Sequence, residues 1–138
     1  MKINKIIVEG VDKTGKDLIC KYLVRLSNFK YEVHSRGVIS NEVYDILYAR
    51  EGYERVLDKD TMYVLLDADK DDLDIRFKIT NEPEIENLNT HRILFKIIFD
   101  RMMIDNEHVY HLEFNTSRLT PYMIAKKILR DVEKINEY

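Results

Sequence analysis

Residues 4–23 read NKIIVEGVDKTGKDLICKYL, and the order of parts in that stretch decides the fold. The apolar run Ile6-Ile7-Val8 predicts a buried strand, Gly10-x-x-x-x-Gly15-Lys16 follows, and a helical apolar pattern comes next. Strand, glycine loop, helix is the order of a phosphate-binding loop. The glycines let backbone N–H groups close around phosphate oxygens with no Cβ in the way. Lys16 adds a point charge for the outer phosphates, and the helix start behind it adds a partial positive charge. Gly10, Asp12, Lys13, Thr14, Gly15, Lys16 and Asp17 are the candidate loop residues. One position departs from the usual pattern. After the lysine such loops carry Ser or Thr, whose hydroxyl binds magnesium, and here the residue is Asp17. A loop that has lost its nucleotide is the bland reading of that change.

Around this stretch, 138 residues suffice for one compact domain with its own core. The 22 basic and 25 acidic residues leave a net charge of −3, which gives no general pull toward nucleic acid or a membrane surface. The single cysteine, Cys20, excludes an internal disulfide and reads as a core or near-core residue of the first helix. With no signal peptide and no long apolar span, the expected location is cytoplasmic.

Working along the chain, Leu18, Ile19, Tyr22, Leu23 and Leu26 recur at helical spacing, and Ser27-Asn28 ends that helix. Residues 31–35 predict a second strand and residues 38–50 a second helix, with Val43, Ile46 and Leu47 inward. Residues 62–66 are continuously apolar, as a central strand covered on both faces should be. Residues 67–72 are acidic and open a helix, where carboxylates suit the positive end. The dense apolar residues over 85–104 predict a long, largely buried helix, and residues 109–114 the last strand. Thr120 as N-cap and Pro121 at the first helical position open the last helix, striped by Ile124, Ile128, Val132 and Ile135. Strands alternating with helices call for a parallel α/β sheet of about four strands, with ligands outside the carboxyl ends of the strands. Glu9, Ser35-Arg36, Asp67 and Asn115-Thr116-Ser117 all fall at such ends.

At this point the chain resembles the thymidylate kinase-like branch of P-loop nucleoside and nucleotide kinases. Glu9-Gly10-x-Asp12-x-x-Gly15-Lys16 is similar to that family's E-G-x-D-x-x-G-K-[ST]. Ser35-Arg36-x-x-x-Ser40-x-x-x-Tyr44 resembles its D-R-x-x-x-S-x-x-x-Y, YVLLDADKDDLDIR its third-motif strand, and FNTSRLTPYMIAKKIL its D-T-S-x-L-T-P-E-E-V-A-x-x-I. The resemblance implies a three-layer P-loop NTPase fold and transfer of the ATP γ-phosphoryl, with magnesium, to a deoxynucleoside monophosphate such as dTMP. It departs from the family at Asp17, at Ser35 in place of the D-R aspartate, and in a shortened lid around Arg76-Phe77-Lys78. The strand and helix that normally help hold the acceptor base are also missing, because residues 27–30 bridge directly.

On that resemblance Lys16 holds the donor phosphates and Arg36 grips the acceptor phosphate and stabilises transferred charge. Arg76 reaches the donor phosphates or lies against the donor base. Asp12 contacts the acceptor sugar or Arg36, or simply stabilises the turn. Tyr44 is either the family's tyrosine or a core aromatic. The family pairs a loop hydroxyl with a strand-end carboxylate for magnesium, and Asp17 with Ser35 exchanges that pair. Glu82, Glu84 and Glu86 read as a solvated loop and His34 as structural. The rival class is a pseudokinase that binds nucleotide or protein without turnover. A homodimer through the apolar helix of residues 88–103 is a further expectation.

Overall fold

The computed structural model describes residues 2–52, 55–81 and 87–137. Among the described residues are four strands and five helices, alternating except that α4 follows α3: β1 (Lys5–Glu9), α1 (Lys16–Leu26), β2 (Glu32–Ser35), α2 (Val38–Leu47), β3 (Thr61–Asp67), α3 (Lys70–Ile79), α4 (Leu88–Asp105), β4 (Tyr110–Asn115) and α5 (Pro121–Asn136). The strands form one parallel sheet in the order β2-β1-β3-β4. The α/β architecture expected from the alternation is therefore the one that forms. Strand order reverses between β1 and β3, and the crevice outside such a switch point is where open parallel sheets place ligands.

The two-residue period of each strand sorts its side chains into two cores. Ile6 and Val8 of β1 join Met62, Val64 and Leu66 of β3 on the face covered by α1 and α5. Ile7, Tyr63 and Leu65 lie on the other face with residues of α2, α3 and α4. β3 is buried along Thr61–Leu66, so residues 62–66 are the two-sided central strand that their composition predicts. The edge strands β2 and β4 are largely open. Each large aliphatic side chain removed from water contributes about 1.5–3 kcal/mol, so the two β3 faces are a principal source of stability.

Helix ends follow the local chemistry. Gly15 starts α1 at φ 91°, ψ 19°, a left-handed conformation that glycine adopts without Cβ strain. Thr120 caps α5 by accepting from the Met123 N–H at 3.2 Å, with Pro121 behind it. The far end of α5 is tied to the start of the chain, since the Asn136 amide exchanges two hydrogen bonds with the Ile3 backbone.

Some apolar residues do not point where their spacing suggests. In α1, Ile19 and Leu23 are buried, but Leu18 and Leu26 are exposed. In α2, Val43 is buried while Ile46 lies half-open. The largest correction concerns α4. It buries Leu88, Phe95, Ile98, Phe99 and Met103 against the sheet and leaves Ile93, Ile97 and Ile104 in the open. A helix laid on one face of a sheet has a single buried stripe, whatever the composition of its other side. Of the expected 85–104 segment, Ile85 lies outside the described residues, as do Glu82, Glu84 and Glu86.

Candidate functional site

The loop between β1 and α1 folds over the switch point. Gly10 is needed there for close approach: a Cβ on it would stand 2.5 Å from the Leu66 carbonyl oxygen. Its missing side chain thus seats the loop on β3, a different service from clearing room for phosphate. Thr14, fully buried, donates its hydroxyl to the Val11 carbonyl at 2.7 Å. No side chain caps the first turn of α1, so its leading N–H groups are directed out of the helix start without a side-chain partner.

A cleft of about 570 Å³ opens in front of that turn, lined by Asp12, Lys13, Gly15, Lys16, Asp17, Leu18, Ser35 and Arg36. The strand-end residues Ser35 and Arg36 thus meet the loop across the carboxyl edge of the sheet, as their positions predict. Asp17 and Ser35, the pair expected to face one magnesium ion, border the same cleft. Among the described residues there is no cluster of three or more His, Cys, Asp or Glu side chains placed to hold a metal. Any magnesium there would rest on Asp17, Ser35, water and ligand oxygens, the kind of set that ion accepts.

Lys16 is only 7% exposed, and its ammonium donates to the Gly10 and Val11 carbonyls, both at 2.7 Å. Burial, aided by the nearby Arg36 charge and opposed by Asp12, Asp17 and Glu9, lowers its pKa to about 8. The cation is therefore turned back on its own loop, with one of three N–H groups left over by count. Arg36 pairs with Asp12 at 2.5 Å across the cleft mouth. This pairing is one of the alternatives that the sequence left open for Asp12. Arg36 sits at φ 71°, a left-handed conformation that costs a residue with a Cβ on the order of 1 kcal/mol. Its N–H is anchored on the Val8 carbonyl at 2.8 Å.

Glu9 explains why that turn holds. It lies on the Ile7 face of β1, fully buried. Its carboxylate accepts from the Gly37 N–H at 2.7 Å, the Ser40 N–H at 3.0 Å and the Ser40 hydroxyl at 2.7 Å. An acceptor at the amino end of α2 matches both the orphan amides and the helix dipole. Glu9 thus sets the position of α2 and, through Gly37, the approach of Arg36.

Two expected residues stand away from the cleft. Arg76, on α3, donates to the Lys13 carbonyl at 2.8 Å, to the Thr116 hydroxyl at 2.9 Å and to the Thr116 carbonyl at 3.1 Å. It ties the glycine loop to the β4–α5 loop. Tyr44 is half-buried, edge-on to Phe95 with ring centres 6.1 Å apart and stacked on Tyr48 at 6.0 Å. Burial pushes its hydroxyl pKa up, with the Arg36 charge opposing and the Asp12 charge adding to the shift.

Sequence reasoning passed over Arg92. Its guanidinium grips Asp67 in a two-point fork, Nε to Oδ1 at 2.9 Å and Nη2 to Oδ2 at 3.1 Å. The Asp67 bond is the main cause that raises the Arg92 pKa above its usual range. The one available signal was an arginine one turn before Phe95 on the helix predicted to be largely buried. The fork borders a second cleft of about 340 Å³ at the ends of β3 and β4.

Set beside known proteins, the chain matches no family model and no curated protein. No described helix is long and apolar enough to cross a membrane.

Proposed function

We propose that the protein is a small nucleotide kinase of the thymidylate kinase-like type, moving the γ-phosphoryl of ATP to a deoxynucleoside monophosphate with magnesium. The observation that carries this reading is the cleft where an uncapped helix start, Lys16 and the Asp12–Arg36 pair face one another. Backbone amides and a lysine at one wall suit the donor phosphates. An arginine on the opposite wall suits an acceptor phosphate and the charge that develops during transfer. Phosphoryl transfer needs little from a protein beyond positioning and charge neutralisation, so the reading does not depend on a strong general base. In this reading magnesium supplies neutralisation of the phosphate oxygens, and Asp17 with Ser35 would hold it.

Lys16 must leave at least one loop carbonyl to meet an outer phosphate with more than its spare N–H. That turned-back ammonium, together with Asp17, favours a second reading in which nucleotide binds without turnover. ADP release from magnesium-ATP, measured with a panel of nucleosides and nucleoside monophosphates beside Lys16→Ala, separates the two. Acceptor-dependent turnover that disappears in the variant supports the kinase. Saturable nucleotide binding with no turnover for any acceptor supports the second reading, and turnover equal in both proteins overturns the role given to Lys16.

A further inference from the structure

Strand β4 closes one side of the sheet, and its outer edge has no partner strand among the described residues. Thr116, just past its end, gives its N–H to the Asp67 carbonyl at 2.8 Å. Backbone direction alternates along a strand, so Tyr110, Leu112 and Phe114 address β3, while His111 and Glu113 turn their N–H and C=O groups outward. We propose that this edge pairs with the same edge of a second copy of the chain, antiparallel and centred on Leu112, joining two four-stranded sheets into one of eight strands.

The edge is open and regular. Tyr110, His111 and Glu113 are exposed, and a cleft of about 230 Å³ runs between the edge and α5. The register of β4 on β3 is unbroken from Tyr110 to Asn115. The strand contains neither proline nor lysine, and it carries no bulge along that register; these are the devices that commonly blunt an edge against pairing.

The edge is also complementary to itself. With Leu112 on a twofold axis, His111 of one copy faces Glu113 of the other, and the reverse. Both are outward residues, so each pair exchanges two backbone hydrogen bonds, about four in all. An imidazole then lies beside a carboxylate at each pair, a favourable cross-strand match. The groups are prepared for it. Glu113 accepts from Lys96 through Oε2 at 2.5 Å and keeps Oε1 without a partner among the described residues. The His111 ring stands edge-on to Phe99, with ring centres 5.8 Å apart. Moving the axis by one residue sets Glu113 against Glu113 or His111 against His111, and like groups directly opposite are unfavourable. The side chains thus specify one register as well as admitting it.

The other edge offers no such match. Arg36 gives its N–H to the Val8 carbonyl, so in β2 the outward residues are Val33 and Ser35. Glu32 and His34 are already bonded to each other at 2.7 Å, and Ser35 lines the phosphate cleft. Antiparallel pairing through β4 points the carboxyl ends of the two sheets in opposite directions, which leaves both phosphate clefts open. The inference stands apart from the kinase reading and uses a different surface from the α4 face expected of a homodimer.

Sedimentation equilibrium from micromolar to near-millimolar protein tests the association, and two sets of variants test the edge. The wild-type chain should show a monomer–dimer equilibrium. His111→Glu and Glu113→Lys each set like charges opposite at two pairs and should weaken the dimer about tenfold or more. The double variant sets Glu against Lys at both pairs and should recover the dimer, with melting temperatures confirming that all three proteins fold. In a Cys20→Ser background, Leu112→Cys places two thiols at a non-hydrogen-bonded pair with Cα atoms about 4.5 Å apart, within the span of a disulfide. Oxidised glutathione should therefore link that variant into a covalent dimer. A chain that stays monomeric throughout overturns the proposal. So does a dimer that both single variants leave intact and that Leu112→Cys fails to cross-link, which would use another face.

Discussion

Replacing Glu9 by alanine should be the most damaging single change near the site, although Glu9 is not expected to touch a ligand. Its carboxylate is fully buried and satisfies three donors at the amino end of α2. Removing it leaves the Gly37 and Ser40 N–H groups without their acceptor, while the Ser40 hydroxyl can rotate to seek another. A hydrogen bond to a charged group contributes about 1.5–3 kcal/mol, and an orphaned buried donor costs about 1–3 kcal/mol. Part of this is offset because the variant no longer holds a carboxylate out of water. The net loss should be about 3–5 kcal/mol, an order-of-magnitude sum of those terms. For a chain of this size that corresponds to a fall of roughly 10–20 °C in melting temperature. Ser40→Ala removes one of the three donors and should cost about 1 kcal/mol. Urea unfolding followed by circular dichroism measures both variants, and the double variant gives their coupling, expected at about 1–3 kcal/mol. A Glu9→Ala loss below about 1 kcal/mol, or strict additivity with Ser40→Ala, would refute the reasoning that Glu9 anchors α2.

Three further outcomes follow from the same geometry. Affinity for magnesium-ATP should fall as pH rises through about 8, where Lys16 loses its proton, and this extra dependence should vanish in Lys16→Met. The stability effect has the opposite sense: the Lys16 pKa is about 8 when folded against 10.5 unfolded, so the unfolded chain binds more protons between those values. The Lys16 contribution to stability therefore rises with pH over that window, and the difference from Lys16→Met in pH-dependent urea melts reads it directly. Arg76→Ala should lower stability by about 1–3 kcal/mol through its lost ties to Lys13 and Thr116. An unchanged melting temperature with sharply weaker ATP binding would instead restore Arg76 to direct phosphate contact. Asp17→Ser should weaken the magnesium-dependent part of ATP binding; a titration showing that part strengthened would remove Asp17 from the metal.

How much of this was legible beforehand depends on the range over which each feature is encoded. Strand β3, the glycine loop and the Thr120-Pro121 start of α5 rest on neighbouring residues, and local patterns report them well. The meeting of Ser35 and Arg36 with the loop follows from parallel topology, which places strand ends on one edge whatever the loops do. Apart from the Asp12–Arg36 pair, side-chain pairings between distant segments left no local trace. The Arg92–Asp67 fork spans 25 positions and the Arg76–Lys13 tie spans 63. Glu9 drew notice as a strand-end carboxylate, but its three donors on the next helix were invisible in the spacing. The retreat of the Lys16 ammonium onto Gly10 and Val11 was equally hidden, because motif spacing places the lysine but does not orient its head group. For α4, dense apolar composition suggested burial all round, whereas only the helix's position on the sheet decides which stripe is covered.

The central claim is that the loop, the uncapped start of α1 and Lys16 together form an anion cradle for a nucleoside triphosphate. Isothermal calorimetry with magnesium-ATP at pH 7, on the wild-type protein and on Lys16→Ala, tests it most directly. The account predicts one saturable site whose affinity drops at least about tenfold in the variant, the loss expected for a charge-assisted contact to phosphate. Absence of saturable heat at millimolar ATP, or equal affinity in the two proteins, would contradict it.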